Sequence, residues 1–181
     1  MSICVSGIGE IMDIFDENFQ LQNQMNMFLE KSLPGPFTFI FKKNENTKIS
    51  ELLNQNNQYL GVRIPEDNLI NQLCKLVNQP LALTSANLSG EKSPLEINDF
   101  QKIWPKLDLI LDSGKILKSK EDRSGSSIVK FELSDEHDSP MVIRLIRKGT
   151  GYEQLLKNIF EFFGKDVKLL DFVETNDASS Y

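Results

Sequence analysis

The sequence predicts an α/β fold. Short runs rich in β-branched and aromatic residues alternate with longer amphipathic runs. Hydrophobic residues make up 40% of the 181, enough for a real core. The length suits one domain of ordinary size. No run reaches the ~18 apolar residues of a membrane span.

The elements follow in order. Residues 3–6 (ICVS) read as a strand and 8–15 as a helix. A second helix is expected over 21–31, where Leu21, Met25, Phe28 and Leu29 share one face. Strands are expected at 37–42 (FTFIFK) and 59–64 (YLGVRI). The helix expected at 66–78 carries Ile70, Leu73, Cys74 and Val77 on one stripe, which makes Cys74 a core residue. A strand at 81–84 (LALT) follows. Ser93-Pro94-Leu95-Glu96 has the pattern of a capping box with proline at the first helical position, so a helix is expected to start at Pro94 and run over 95–104. Strands at 107–111 (LDLIL), 127–131 (SIVKF) and 142–147 (VIRLIR) come next. A last helix at 151–163 aligns Leu155, Ile159 and Phe162. The polar tail from Glu174 to Tyr181 is expected to be disordered.

Composition excludes several chemistries. The cysteines, Cys4 and Cys74, are too few for a zinc site and fit a reducing compartment. The lone histidine, His137, stands in the acidic stretch SDEHDS, which argues against a Ser-His-Asp triad. A formal net charge of −6 disfavours a protein whose main task is to grip a phosphate backbone, but leaves room for a small anion held by local arginines. The N-terminus lacks the basic and apolar regions of a secretory signal. The first arginine is Arg63, unlike an Arg-rich transit peptide.

PLALTSANLSGEKSP, from Pro80 to Pro94, ends an apolar run in small hydroxyl and amide residues. Placed between a strand end and a helix start, Thr84, Ser85 and Asn87 could hydrogen-bond a phosphate, a ribose or a carboxylate, or simply form a polar loop. LPGPFT (Leu33 to Thr38) reads as a structural turn entering a strand. GVRIP places Arg63 at the end of an apolar strand. RSGSSIVK and VIRLIRKG place Ser126 and Ser127 at the start of one strand and Arg144 and Arg147 in the next. Each arginine needs either an acidic partner or an anionic ligand. Arg144 and Arg147 are three apart, so only a bulge would put both on one face.

LPGPFT, GVRIP, PLALTSANLSG, SGSSIV and IRKG resemble, in this order, the motifs of the YrdC-like family. The resemblance runs from about Ile3 to the region of Tyr152. It implies a twisted mixed sheet with flanking helices around a cavity, in a domain spanning 1–165 with a C-terminal extension over 166–181. It also implies formation of threonylcarbamoyl-AMP and pyrophosphate from L-threonine, bicarbonate and ATP, with Mg2+ accompanying ATP. By matched position Arg63, Ser85 and Ser126 would contact threonine, and Thr84, Asn87 and Arg147 the nucleotide. Lys148 stands where the family's arginine is followed by proline. The product would go to a tRNA threonylcarbamoyl transferase complex. A cytoplasmic location is implied, with a mitochondrial form requiring a different N-terminus.

The family also carries a strand and turn resembling PTDTVYGL and a K-x-R element, and neither occurs here: no lysine is followed two positions later by arginine. The expectation is that roughly the first third of a domain of ~200–250 residues is absent and that activity is impaired. The alternative is a non-catalytic module binding nucleotide or RNA, for which Lys115, Lys118, Lys120 and Arg123 are the local support.

Overall fold

The chain order is β1 (Ser2–Cys4), α1 (Ile8–Ile14), α2 (Gln22–Ser32), β2 (Phe37–Lys42), β3 (Tyr59–Arg63), α3 (Asn68–Val77), β4 (Leu81–Leu83), a 3-10 helix (Ile97–Lys106), β5 (Ser127–Leu133), β6 (Met141–Arg147), α4 (Tyr152–Phe163) and β7 (Val167–Leu170). This computed structural model describes residues 1–15, 22–54, 57–88, 90–91, 93–116, 124–134, 141–164 and 167–170. Leu21, His137 and the polar tail lie outside the described residues. No described helix is long and apolar enough to cross a membrane.

The strands form one mixed seven-stranded sheet in the order β4-β1-β3-β2-β5-β6-β7. The pairs β1–β3, β2–β5 and β6–β7 are parallel; β1–β4, β2–β3 and β5–β6 are antiparallel. Side chains alternate along each strand, so Phe37, Phe39 and Phe41 of β2 share a face with Leu60, Val62, Val129, Phe131 and Ile143. This face is packed by Ile11 of α1, Phe28 and Leu29 of α2, and Leu155, Ile159 and Phe163 of α4. Phe28 lies at its centre, with ring centroids 5.2 Å from Phe39 and 5.2 Å from Phe163. Phe41 stacks on Phe131 at 4.9 Å. One polar contact crosses this layer: Asn158 of α4 donates from Nδ2 to Ser32 Oγ of α2 at 2.9 Å, satisfying both buried side chains.

The opposite face is capped at β1 by α3. Asp67 caps that helix, accepting from Ile70 N–H at 3.0 Å, and Asn78 closes it in the left-handed region at φ 53°. Cys74 is buried as expected, and its Sγ lies 3.6 Å from that of Cys4. Both thiols are free. Burial first, then the hydrogen bond and charge of Cys74, push the Cys4 thiol up to about 12. The two cysteines are thus distant only along the chain.

Two expected elements differ. No strand forms at 107–111, and Leu107, Leu109 and Leu111 are exposed. Alternation of apolar and polar residues makes a strand only where a neighbour supplies ladder hydrogen bonds, and among the described residues none pairs there. The helix expected from Pro94 begins instead at Ile97 and is 3-10, with Phe100 off helical geometry at φ −117°. Glu96 is extended and makes no capping bond; Asp99 Oδ2 accepts from Leu95 N–H at 2.9 Å in its place. The sheet also gains β7, just past the boundary expected at 165, where Met141↔Val167 begins its register with β6.

By Cα proximity the chain divides into two units, Met1–Leu83 with Ser126–Tyr181, and Thr84–Gly125. The first holds the whole sheet.

Two outcomes test this packing. Phe28→Ala should cost about 3–5 kcal/mol in urea unfolding, the range for deleting a fully buried aromatic ring. Native chain at pH 8 should react with a thiol-specific disulfide reagent at least roughly a hundredfold more slowly than unfolded chain, because a protonated, buried thiol is a poor nucleophile.

Candidate functional site

Strand direction sets which residues meet at one end of the sheet. β1 and β3 are parallel and end there with Cys4 opposite Arg63. β2 and β5 start there, with Phe37 opposite Ser127. β6 ends there with Arg147 opposite Ile128. The LPGPFT turn fastens these ends together: Gly35 N–H donates to Ile64 O at 2.9 Å, and Pro36 O accepts from Ser127 N–H at 3.2 Å. Ser127, fully buried, ties β5 to the segment after β6, donating to Thr150 O at 3.0 Å and accepting from Gly149 N–H at 3.1 Å. Gly151, at φ 77°, then starts α4 in a conformation that suits glycine, where a Cβ would stand 2.8 Å from the Phe37 ring.

The face of Arg147 depends on a bulge. Val129 pairs with Leu145 while the next residue, Ile128, pairs with Arg147, so Ile146 is the extra residue in β6. Arg144 pairs with Lys130. Opposed residues share a face, so the bulge puts Arg144 and Arg147 on the same one, the face of Arg63 and Thr38.

The arginines then part company. Arg144 is structural: its Nη2 and Nε both meet Glu132 Oε2 at 3.2 Å, and Lys130 Nζ approaches Glu132 Oε1 at 2.7 Å while lying 3.6 Å over the Tyr59 ring. Arg147 reaches back to β5, donating from Nε to Ser126 O at 3.0 Å and from Nη2 to Ser126 Oγ at 3.2 Å. Ser126 Oγ lies 2.8 Å from Thr38 Oγ1, both side chains buried. Arg63 is half-buried, and its Nε is buried with no hydrogen-bond partner among the described residues. Among the described residues no carboxylate pairs with Arg63 or Arg147. Burial lowers the pKa of Arg63, Cys4 opposes this, and Arg147 lowers it further; burial lowers that of Arg147. Both guanidiniums stay charged at ordinary pH, so the cost of holding them is constant across neutrality.

This end of the sheet therefore offers two uncompensated cations and two hydroxyls within one row. The arrangement suits an anion with planar oxygens, a carboxylate or a phosphate. Sequence reasoning named Arg63, Ser126 and Arg147, and the structure brings these three together. It missed Thr38, taken as the end of a structural turn. The signal was a threonine alternating with phenylalanines, which directs its hydroxyl away from the aromatic core.

Thr84, Ser85 and Asn87 belong to the other unit. Thr84 and Ser85 are exposed. Asn87 Nδ2 closes its own loop, donating to Leu88 O at 3.1 Å and Glu91 O at 2.8 Å, while Oδ1 is buried without a partner among the described residues. What Asn87 keeps for a ligand is an acceptor. The argument that ligands gather at carboxyl ends of parallel strands applies to β1 and β3, not to β4, which runs antiparallel to β1. Of the basic cluster, Lys118, Lys120 and Arg123 lie outside the described residues.

A family model, Sua5_yciO_yrdC, described as "Telomere recombination", matches residues 1–149. The chain belongs to the Sua5/YciO/YrdC family. It is 34% identical over 138 residues to the threonylcarbamoyl-AMP synthase of Homo sapiens, covering 75% of this chain and 47% of that protein. It is 37% identical over 127 residues to that of Bos taurus, covering 69% and 43%. The chain thus spans about half the length of these curated relatives. The crystal structure of P. abyssi Sua5 complexed with L-threonine superposes with a TM-score of 0.69 at 22% identity, over 93% of this chain and 44% of that one. E. coli YciO superposes with a TM-score of 0.57 at 16% identity, over 82% of this chain and 65% of that one. These likenesses establish the Sua5/YciO/YrdC fold.

A ligand-holding arginine and a structural one respond oppositely to removal. Arg63→Met should raise the melting temperature of the free chain by about 2–4 °C, since a half-buried cation with no acidic partner among the described residues is replaced by an apolar chain of similar length. A fall of several degrees would mark Arg63 as a structural residue.

Proposed function

We propose that this chain serves in the synthesis of threonylcarbamoyl-AMP. The threonine amine takes up bicarbonate with loss of water, and the resulting carbamate displaces pyrophosphate from the α-phosphate of ATP. The carrying observation is the half-buried Arg63, whose Nε is buried, which has no carboxylate partner among the described residues and lies on the face of Arg147, Ser126 and Thr38. Relatives bearing that activity in their names, at 34% and 37% identity, support the reading.

In this reading Arg63 and Ser126 receive the threonine carboxylate and Arg147 contacts the nucleotide, while the roles of Ser85 toward threonine and of Thr84 and Asn87 toward the nucleotide rest on matched position in the sequence alone. No covalent enzyme intermediate is needed. The rate enhancement comes from holding three reactants in line and from fixed donors aimed at charge developing on phosphate. Two guanidiniums and two hydroxyls do not suit a divalent cation, so Mg2+ would arrive on the triphosphate as part of the substrate. The product, a mixed carbamic–phosphoric anhydride, would be consumed by a tRNA threonylcarbamoyl transferase complex. A cytoplasmic setting accords with two free thiols 3.6 Å apart.

Calorimetric titration of L-threonine into the 181-residue chain tests the proposal. Saturable binding is expected, weakened by roughly tenfold or more in Arg63→Met, the value of a charge-assisted pair. Equal affinity in the two proteins, or binding of RNA in place of threonine and ATP, would contradict it.

A further inference from the structure

The hydroxyl of Ser126 has one proton and two lone pairs. One lone pair accepts from Arg147 Nη2 at 3.2 Å. The remaining contact, 2.8 Å to Thr38 Oγ1, can run either way. If Ser126 donates to Thr38, its only proton is spent within the wall of the site. If Thr38 donates, Ser126 accepts twice and its proton is left to point at a ligand. Only in the second arrangement can Ser126 itself donate to an anionic ligand.

The packing of Thr38 holds its oxygen where that arrangement can form. A Cβ built on Gly61 would stand 3.2 Å from Thr38 Cγ2 and 3.1 Å from Ser2 Cβ. The Thr38 methyl is thus seated over the bare backbone of Gly61, which directs the hydroxyl to the other side, toward β5. The β-branched side chain has few other rotamers. Gly61 and Thr38 therefore work as one device, with glycine supplying the seat and threonine a hydroxyl held against Ser126.

We infer that Thr38 is a positioning residue: its hydroxyl, held toward β5 by the methyl over Gly61, donates to Ser126 Oγ and frees the Ser126 proton for the carboxylate of the bound amino acid. The inference rests on the proposed function above. Thr38 does not itself touch the ligand. Its effect passes through Ser126, so it depends on the hydroxyl and not on side-chain volume.

The test is calorimetric titration of L-threonine into wild type, Thr38→Val, Thr38→Ser and Arg63→Met, with the melting temperature of each. Thr38→Val keeps the shape and removes the donor; threonine affinity is expected to fall roughly tenfold. Thr38→Ser restores the donor and should bind within about threefold of wild type. A purely structural residue would instead show affinity tracking melting temperature across the series. Wild-type affinity in Thr38→Val, or a loss in Thr38→Ser equal to that in Thr38→Val, overturns the inference while leaving the proposed function intact, provided Arg63→Met has lost binding. If wild type and Arg63→Met fail alike to bind threonine, the functional reading and this inference fall together.

Discussion

Two like charges on one sheet face, with no acid paired to either among the described residues, are the constraint around which this structure is arranged. Arg63 and Arg147 repel across the ends of β3 and β6, and each is partly stripped of water. A fold carries such a pair at a cost to its own stability. That cost is intelligible if an anion completes the site. The neighbouring Arg144 supplies the internal contrast. It sits on the same face, two pairs further along β6, and has its carboxylate in Glu132. The chain pairs the arginine it uses for cohesion and leaves the other two open.

Geometry of this kind needs a stiff support. The aromatic layer beneath the sheet provides it, since Phe28, Phe39, Phe41, Phe131 and Phe163 are all buried to within 2% exposure and interlock across α2, β2, β5 and α4. Rings packed at such density do not slide, so the register of β2, β3, β5 and β6 is held. The single irregularity, the bulge at Ile146, is what rotates Arg147 onto the working face. Local disorder of the ladder is here a device for aiming one side chain.

Much of this was legible in the sequence. Period-two runs in Phe37–Lys42 and Ser127–Phe131 and the helical stripe through Met25, Phe28 and Leu29 depend on local burial, which sequence records directly. The unexpected features depend on partners. Residues 107–111 alternate like a strand but find no neighbour to pair with among those described. The 3-10 geometry of Ile97–Lys106 follows from Asp99 capping Leu95 and from the break at Phe100, neither visible as a pattern. Val167–Leu170 is too short to declare itself until β6 offers an edge. In the site, Arg63 and Arg147 were conspicuous because charge in an apolar run is rare. Thr38 was not, because its role arises from contacts with Ser126 and Gly61, 88 and 23 residues away in sequence. The proximity of Cys4 and Cys74, 70 residues apart, was hidden for the same reason.

What most needs testing is that Arg63, on the sheet face it shares with Arg147, receives the carboxylate of the amino acid. Proton–nitrogen correlation spectra of chain labelled with 15N-arginine observe the guanidinium Nε–H groups directly during titration with L-threonine. The expected result is that the Arg63 Nε–H signal moves along a saturation curve and becomes protected from exchange, that the Arg147 signal responds instead to added ATP, and that the Arg144 signal, already bound to Glu132, stays put. Movement of Arg144 alone, or of none of the three, would contradict it.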